Sequence, residues 1–320
     1  MNTALALAPT AYDLEQTAPA LPRNAVRSWL DYLDTTPATM ETYTRTIRPF
    51  QKFLAAQGIT SPTRQTLLAY RAALEAEGKK ASTVSAYMTA TRLLFSWLNQ
   101  EGIYPNVAER VKGKRPSKEH KRDFLPAEGI RATLAAIDRS TLAGLRDYAL
   151  VLLMASDGLR TIEVARAAIE DLREEAGDVV LHVQGKGRAD KGEFVRVSPR
   201  TYAAIRAYLK ARHASEPSAP LFAASSNNHR AEGMTTRAIR AIVKARMVAA
   251  GYDSPRLTAH SLRHSAVTLA LKAGVAIDEV RAFARHRSID TTLIYAHDLD
   301  AHSNRAAAAV EGSIFAAAGE

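Results

Sequence analysis

Tyr295 stands in the run Ala284-Arg285-His286-Arg-Ser-Ile-Asp-Thr-Thr-Leu-Ile-Tyr295-Ala-His297. Upstream lie His260-Ser-Leu-Arg263, then Gly185-Lys186-Gly187, then Asp157-Gly158-Leu159-Arg160-Thr-Ile-Glu163. A phenol is an oxygen nucleophile, but its ordinary pKa near 10 means that it needs adjacent cations and a base. Arginine forks suit two phosphate oxygens and keep their charge at any working pH. Two such forks offset the extra negative charge of a pentacoordinate phosphorane. A lysine on a mobile turn can protonate a leaving alkoxide. Each piece alone is weak, since turn lysines and His-x-x-Arg pairs are usually surface features. In order, Arg160, Lys186, His260, Arg263, His286 and Tyr295 have the groups needed to hold a phosphodiester and attack it.

Those groups must be positioned by a chain of 320 residues, which is comfortable for two domains. The net charge of +10 favours a polyanionic partner, most simply nucleic acid. The absence of cysteine excludes disulfides, thiolate catalysis and Cys-ligated zinc. No apolar run approaches the roughly 20 residues of a membrane span. No positive charge precedes Arg23, so residues 1–20 read as a flexible leader rather than a secretory signal, and a cytoplasmic protein is expected.

Residues 21–111 carry helical periodicity. Val26, Trp29, Leu30 and Leu33 share one face, and Thr36-Pro37 makes an N-cap and first-turn pair for a second helix that contains Pro49 as a candidate kink. A third helix is expected over about 63–77 and a fourth capped by Ser82, burying Val84, Tyr87, Met88, Leu94, Trp97 and Leu98. Residues 112–124 then form a linker with Lys112, Lys114, Arg115, Lys118, Lys121 and Arg122, placed to cross a DNA backbone. From 125 to 320 the pattern is mostly helical. The exception is a β-hairpin, Asp178 to Gln184 returning at Glu193, with Lys186 on its tip. Arg237, Arg240 and Lys244 share one face of a helix over 236–249 and are candidate groove contacts. His260 and Arg263 are spaced to project from one helix face, and Arg160 falls near a helix start with Glu163 one turn on.

With those motifs in that order, the chain resembles the tyrosine recombinases, the phage-integrase family of site-specific DNA recombinases, over residues 22 to 300. The resemblance implies a mainly α architecture with a small β-hairpin: a helical core-binding domain of SAM-like type and a mixed α/β catalytic domain. Ser82-Thr-Val-Ser-Ala-Tyr-Met-Thr-Ala-Thr-Arg92-Leu-Leu-Phe-Ser-Trp-Leu resembles the core-binding domain, where Arg92 is a candidate DNA contact. It further implies that Tyr295 attacks the scissile phosphate and leaves a 3′-phosphotyrosyl link and a free 5′-hydroxyl. Arg160, Arg263 and His286 hold the phosphate, Lys186 protonates the leaving oxygen, His260 assists the tyrosine proton and Glu163 supports the site from behind. No metal, ATP or other cofactor is implied. The implied partner is double-stranded DNA, bound by a homotetramer on two paired sites with a dimer on each, with room for accessory DNA-bending or directionality proteins and no membrane. The expected roles are integration or excision of a mobile element, or resolution of replicon dimers, on the nucleoid. The alternatives are a type IB topoisomerase-like enzyme and a non-cutting DNA-binding protein of the same fold. Two departures stand out. The family usually has Leu-Gly-His where this chain has Ala284-Arg285-His286, and Thr-Gly-Leu where it has Asp157-Gly158-Leu159. Arg285 either adds a phosphate contact or only changes the turn, and Asp157 either orients Arg160 or competes with it.

Neutralising the six basic residues of the linker should weaken binding to every duplex alike, because phosphate contacts carry little base information. The slope of log K against log salt should become shallower by roughly 0.9 for each DNA phosphate that the linker neutralises in the parent protein. A titration at three salt concentrations checks it, and an unchanged slope means that the linker touches no phosphate.

Overall fold

In a computed structural model, residues 19–113, 123–185, 190–224 and 232–303 are described. The chain divides into two compact units, residues 1–119 and 120–320. Among the described residues no helix is long and apolar enough to cross a membrane.

The first unit contains α1 (Ala25–Tyr32), α2 (Pro37–Ala56), α3 (Arg64–Ala76) and α4 (Ala81–Gln100). Threonine caps set two of the starts. The Thr36 side chain accepts the Thr39 amide, and Thr63 and Thr66 cap each other reciprocally, satisfying first-turn donors that the helix itself cannot. α4 starts at Ala81, so its N-cap is Lys80, with no side-chain cap bond, rather than the expected Ser82, and Tyr87 is only half-buried on its inner side. α2 continues through Pro49 as one helix. The apolar stripes meet in a core of Trp29, Ile47, Phe50, Tyr70, Leu94 and Phe95. The Phe50 ring lies 5.2 Å from Tyr70 and 5.9 Å from Phe95. Arg92 is exposed on α4, as is Lys112 beyond it. Lys114, Arg115, Lys118, Lys121 and Arg122 lie outside the described residues.

The second unit is built on α6 (Leu142–Ser156), in which Ala149 through Ala155 are all buried. A helix that is apolar all round belongs inside, with others packed over it. α5 (Ala127–Ala135), α8 (Pro199–Arg212), α9 (Thr236–Ala249) and α10 (Ala259–Lys272) pack on it. Between α6 and α8 come the short α7 (Thr161–Arg166), a 3-10 turn, and an antiparallel sheet of β1 (Leu172–Glu175), β2 (Asp178–Val183) and β3 (Glu193–Arg196) in that order. The expected hairpin is β2–β3, with Leu181 opposite Val195. β1 was not expected from the sequence. Leu172-Arg-Glu-Glu has neither β-branched residues nor alternation, and it is an edge strand held by pairing Leu172 with Leu181. α11 (Ile277–Ala284) and α12 (Asp290–Ser303) close the described chain.

One buried carboxylate ties α6 to α9. Asp147 is 1% exposed; its Oδ1 accepts from Arg146 Nε at 3.0 Å, and its Oδ2 accepts from Arg246 Nε at 2.9 Å and Nη2 at 2.5 Å. Removing the acid would break its ion pairs with the largely buried Arg146 and with Arg246. Asp147→Ala should therefore destabilise the second unit by about 3 kcal/mol, the scale for breaking a buried ion pair. Urea denaturation checks this, and a loss within about 0.5 kcal/mol, the size of an ordinary surface substitution, would contradict it.

Candidate active site

The α6–α7 turn begins the site. α6 stops at Asp157 because Gly158 takes a left-handed φ of +66°, and a Cβ there would stand 3.0 Å from the Phe283 ring. Asp157 is 3% exposed and its Oδ1 accepts the Ser198 amide at 2.9 Å, so it fastens this turn to the start of α8. Burial pushes its carboxyl above the ordinary aspartate range, against hydrogen bonds from Ser198 and Thr201. Asp157 therefore faces α8 and acts on Arg160 only through the turn they share.

Arg160 is the N-cap of α7, and Glu163 reaches back to it twice. Glu163 Oε2 accepts the Arg160 amide at 2.8 Å, and Oε1 accepts Arg160 Nη1 at 2.7 Å. Arg160 Nη2 donates to the Arg285 carbonyl at 3.0 Å, and the side chain is still 26% exposed. Glu163 has no exposed surface. Burial pushes its carboxyl up, but the charges of Arg285 and Arg160 and the Arg160 amide outweigh that and hold it below the ordinary glutamate range.

Arg263 comes from the second turn of α10 and is 2% exposed. Its Nη1 donates to the Gly158 carbonyl at 2.5 Å and its Nη2 to the Ala284 carbonyl. Burial, together with the neighbouring Arg160 and Arg285 charges, pushes its pKa down to about 9, which leaves it cationic at neutral pH. His260, one turn earlier, is exposed. The two differ in burial, Arg263 lying inside and His260 at the surface, and both bear on His286.

α11 ends because Arg285 adopts φ +50°. A side chain in that region costs on the order of 1 kcal/mol, so glycine would be easier there. Arg285 does not reach outward. Its side chain is 6% exposed, Nη2 donates to Glu163 Oε2 at 2.7 Å and Nη1 to the Phe283 carbonyl at 2.9 Å. His286 follows in the turn rather than on a helix, with Nδ1 2.9 Å from Thr292 Oγ1 of α12. Burial and the cations Arg263, Arg160 and Arg285 press its pKa down to about 4, so the imidazole is neutral at pH 7.

Tyr295 on α12 is 8% exposed. Its ring stacks 6.1 Å from His286 and lies 4.5 Å from His264, a buried imidazole on α10 that the motifs do not single out. His264 directly follows Arg263, and only the helix, which turns both residues inward, reveals it. The fold thus brings Arg160, Glu163, Arg263, His286 and Tyr295 together from three separate stretches of chain. Lys186 lies outside the described residues; Lys191, further along the same hairpin loop, is held by Asp171 at 2.5 Å. On α9, Arg237 and Arg240 are exposed, whereas Lys244 is committed to Asp253 at 3.0 Å and to the Ser254 carbonyl at 2.7 Å. Among the described residues no group of three or more His, Asp or Glu could hold a metal ion.

Comparison with known proteins gives the arrangement its context. Residues 123–302 match the phage integrase family, and residues 26–102 match the phage integrase N-terminal SAM-like domain. Tyrosine recombinase XerC of Pelobacter propionicus is 30% identical over 286 residues, covering 85% of this chain and 90% of that one. Tyrosine recombinase XerD of Listeria monocytogenes serotype 4b is 27% identical over 269 residues, covering 81% and 87%. Among solved structures, XerH bound to its palindromic difH substrate superposes with a TM-score of 0.69 at 20% identity, covering 85% of this chain and 80% of that one. A lambda integrase dimer on a COC′ core site gives 0.67 at 15% identity, covering 89% and 79%.

The depressed His286 has a consequence for stability. It titrates near 6.5 when unfolded and near 4 in the fold, so between those values the folded chain binds fewer protons. Its stabilising contribution, on the order of 3 kcal/mol, is complete above pH 6.5 and is lost as pH falls through 4. Imidazole NMR of the free protein should place the His286 midpoint near 4, and His286→Asn should flatten the stability profile between those limits. A midpoint near 6.5 would contradict the geometry.

Proposed function

The chain belongs to the phage integrase family of tyrosine recombinases, and from that premise we propose that Tyr295 is the nucleophile of a site-specific strand exchange on double-stranded DNA. The protein is a site-specific DNA recombinase that cuts and rejoins strands; what is proposed is which residues perform each step. The observation that carries the assignment is the position of the Tyr295 ring against His286, beside the cluster of Arg160 and Arg263.

In the proposed step the Tyr295 oxygen attacks the scissile phosphorus as the bond to the 5′ oxygen breaks. A 3′-phosphotyrosyl bond forms and a 5′-hydroxyl leaves. Arg160 and Arg263 stabilise the charge of the phosphorane, an effect realised mainly in the transition state. His286, neutral in the free protein, adds a hydrogen bond to the phosphate and gains basicity as that anion arrives. His260 takes the phenol proton, and Lys186 gives one to the leaving oxygen. The 5′-hydroxyl of a second strand reverses the reaction on the phosphotyrosine, so the bond energy is retained.

Binding to DNA follows from the family. Assembly as a tetramer on two paired sites belongs to the proposal, and it is supported by a related arrangement, the lambda integrase tetramer solved on a Holliday junction. Arg92, Lys112, Arg237 and Arg240 are exposed and are proposed as DNA contacts. Lys244 has a weaker place in that set because of its pairing with Asp253. Lys114, Arg115, Lys118, Lys121 and Arg122 keep their proposed backbone role on charge alone.

Tyr295→Phe should abolish covalent capture of DNA while changing duplex affinity by less than about twofold, because only the hydroxyl is removed. Incubation with a random duplex library, denaturation, and recovery of protein-linked strands reads this out and maps the cleavage position. Covalent adducts formed by the phenylalanine variant would overturn the assignment.

A further inference from the structure

We propose that Arg285 is a positioning residue: it occupies Oε2 of Glu163, so that Glu163 orients Arg160 without cancelling the positive charge of the site. The inference rests on the reading of Arg160 as a phosphate clamp. Arg285 stands where the family pattern has glycine, and the backbone there keeps the left-handed conformation that glycine would accept more easily. A charged side chain held at that position is turned inward and is 6% exposed. Its Nη2 meets Glu163 Oε2 at 2.7 Å, and its Nη1 is satisfied by the Phe283 carbonyl.

The charge balance gives this contact its consequence. Glu163 is fully buried and touches Arg160 through both oxygens. With Glu163 and Arg160 alone, one carboxylate neutralises one guanidinium, and the cluster with Arg263 carries a single net positive charge. Arg285 restores the missing charge, so Arg160, Arg263, Arg285 and Glu163 together carry two. In a site screened from water such a fixed charge acts strongly on a developing phosphorane without touching it. The same geometry fixes the acceptors of the clamp. The Arg285 carbonyl takes Arg160 Nη2 at 3.0 Å, and the preceding Ala284 carbonyl takes Arg263.

His286 reports on this charge directly. It is faced by Arg263 and His260 from α10, by Arg160 from the α6–α7 turn, by Arg285 from its own turn and by Thr292 and Tyr295 from α12. Arg285→Gly suits the backbone and should fold. In the DNA-free protein it should raise the His286 NMR midpoint towards its ordinary value, and Arg285→Lys should keep that midpoint close to the parent. On the duplex recovered by covalent capture, Arg285→Gly should slow single-turnover adduct formation by about tenfold or more with little change in affinity. A glycine variant that leaves both the His286 midpoint and the rate unchanged would overturn the proposal, whatever its melting temperature. One that loses affinity rather than rate would assign Arg285 to DNA contact instead. Should the parent protein form no adduct, the reading of Arg160 fails, yet the His286 titration still tests whether Arg285 sets the charge of the cluster.

Discussion

A guanidinium 2% exposed must have acceptors, and the second unit is arranged to supply them to Arg263. They are main-chain carbonyls, Gly158 at the end of α6 and Ala284 at the end of α11. Both are available because each helix is stopped by a residue of positive φ, which turns the chain aside and leaves the carbonyls unclaimed by a next turn. The partial negative charge at those helix ends faces the cation. Three helices distant in sequence therefore converge on one side chain. Gly158 cannot be another residue without meeting Phe283, and Phe283 sits on the helix that supplies the other acceptor. Moving any of the three would leave a buried charge without its acceptors, which is the reason the arginines stay in place before any phosphate arrives.

Around that fixed point the charges are graded. Glu163 is ionised because two arginines outweigh its burial, and His286 is neutral because three arginines add to its burial. The same cations thus push an acid and an imidazole in opposite directions. The cluster is left electropositive with a neutral ring at its edge, a state that an incoming phosphodiester would relieve. Arg160, still 26% exposed, offers the open side of the cluster, whereas Arg263 lies behind it.

Much of this was legible in the sequence, for identifiable reasons. The helices of the first unit announce themselves by stripes such as Tyr43, Ile47, Phe50 and Leu54, and by Thr36-Pro37 and Thr63 as starts. Arg160 and Arg263 were visible as long charged side chains beside a glycine turn and on a helical repeat. What escaped were properties that depend on direction. One helix buries Arg263 and leaves His260 exposed, a difference that spacing alone cannot tell. β1 is recruited by its neighbour rather than by its own residues. The sequence leaves Arg285 two destinations, phosphate or turn, because only the fold places Glu163 within 2.7 Å of it. His264 carried no signal beyond its place after Arg263, since its partner Tyr295 lies on another helix.

Tyr295, the proposed nucleophile, stands on different footing from the arginines. Its apolar neighbours among the described residues form a small cluster of Val267, Val280 and Ala284, separate from the main core that holds α6, α8 and α9. Its ring is set between His264 on α10 and His286 in the turn before α12. Elements that bury few apolar contacts open at lower free-energy cost than those in the main core. The arginines are thus held by buried hydrogen bonds, and Tyr295, besides its contacts with the two imidazoles, packs in the small apolar cluster. Such a division suits a reaction that must run twice at one phosphate. In the proposed reaction the clamp keeps its geometry through cleavage and rejoining, while the tyrosine forms a bond to phosphorus and then releases it.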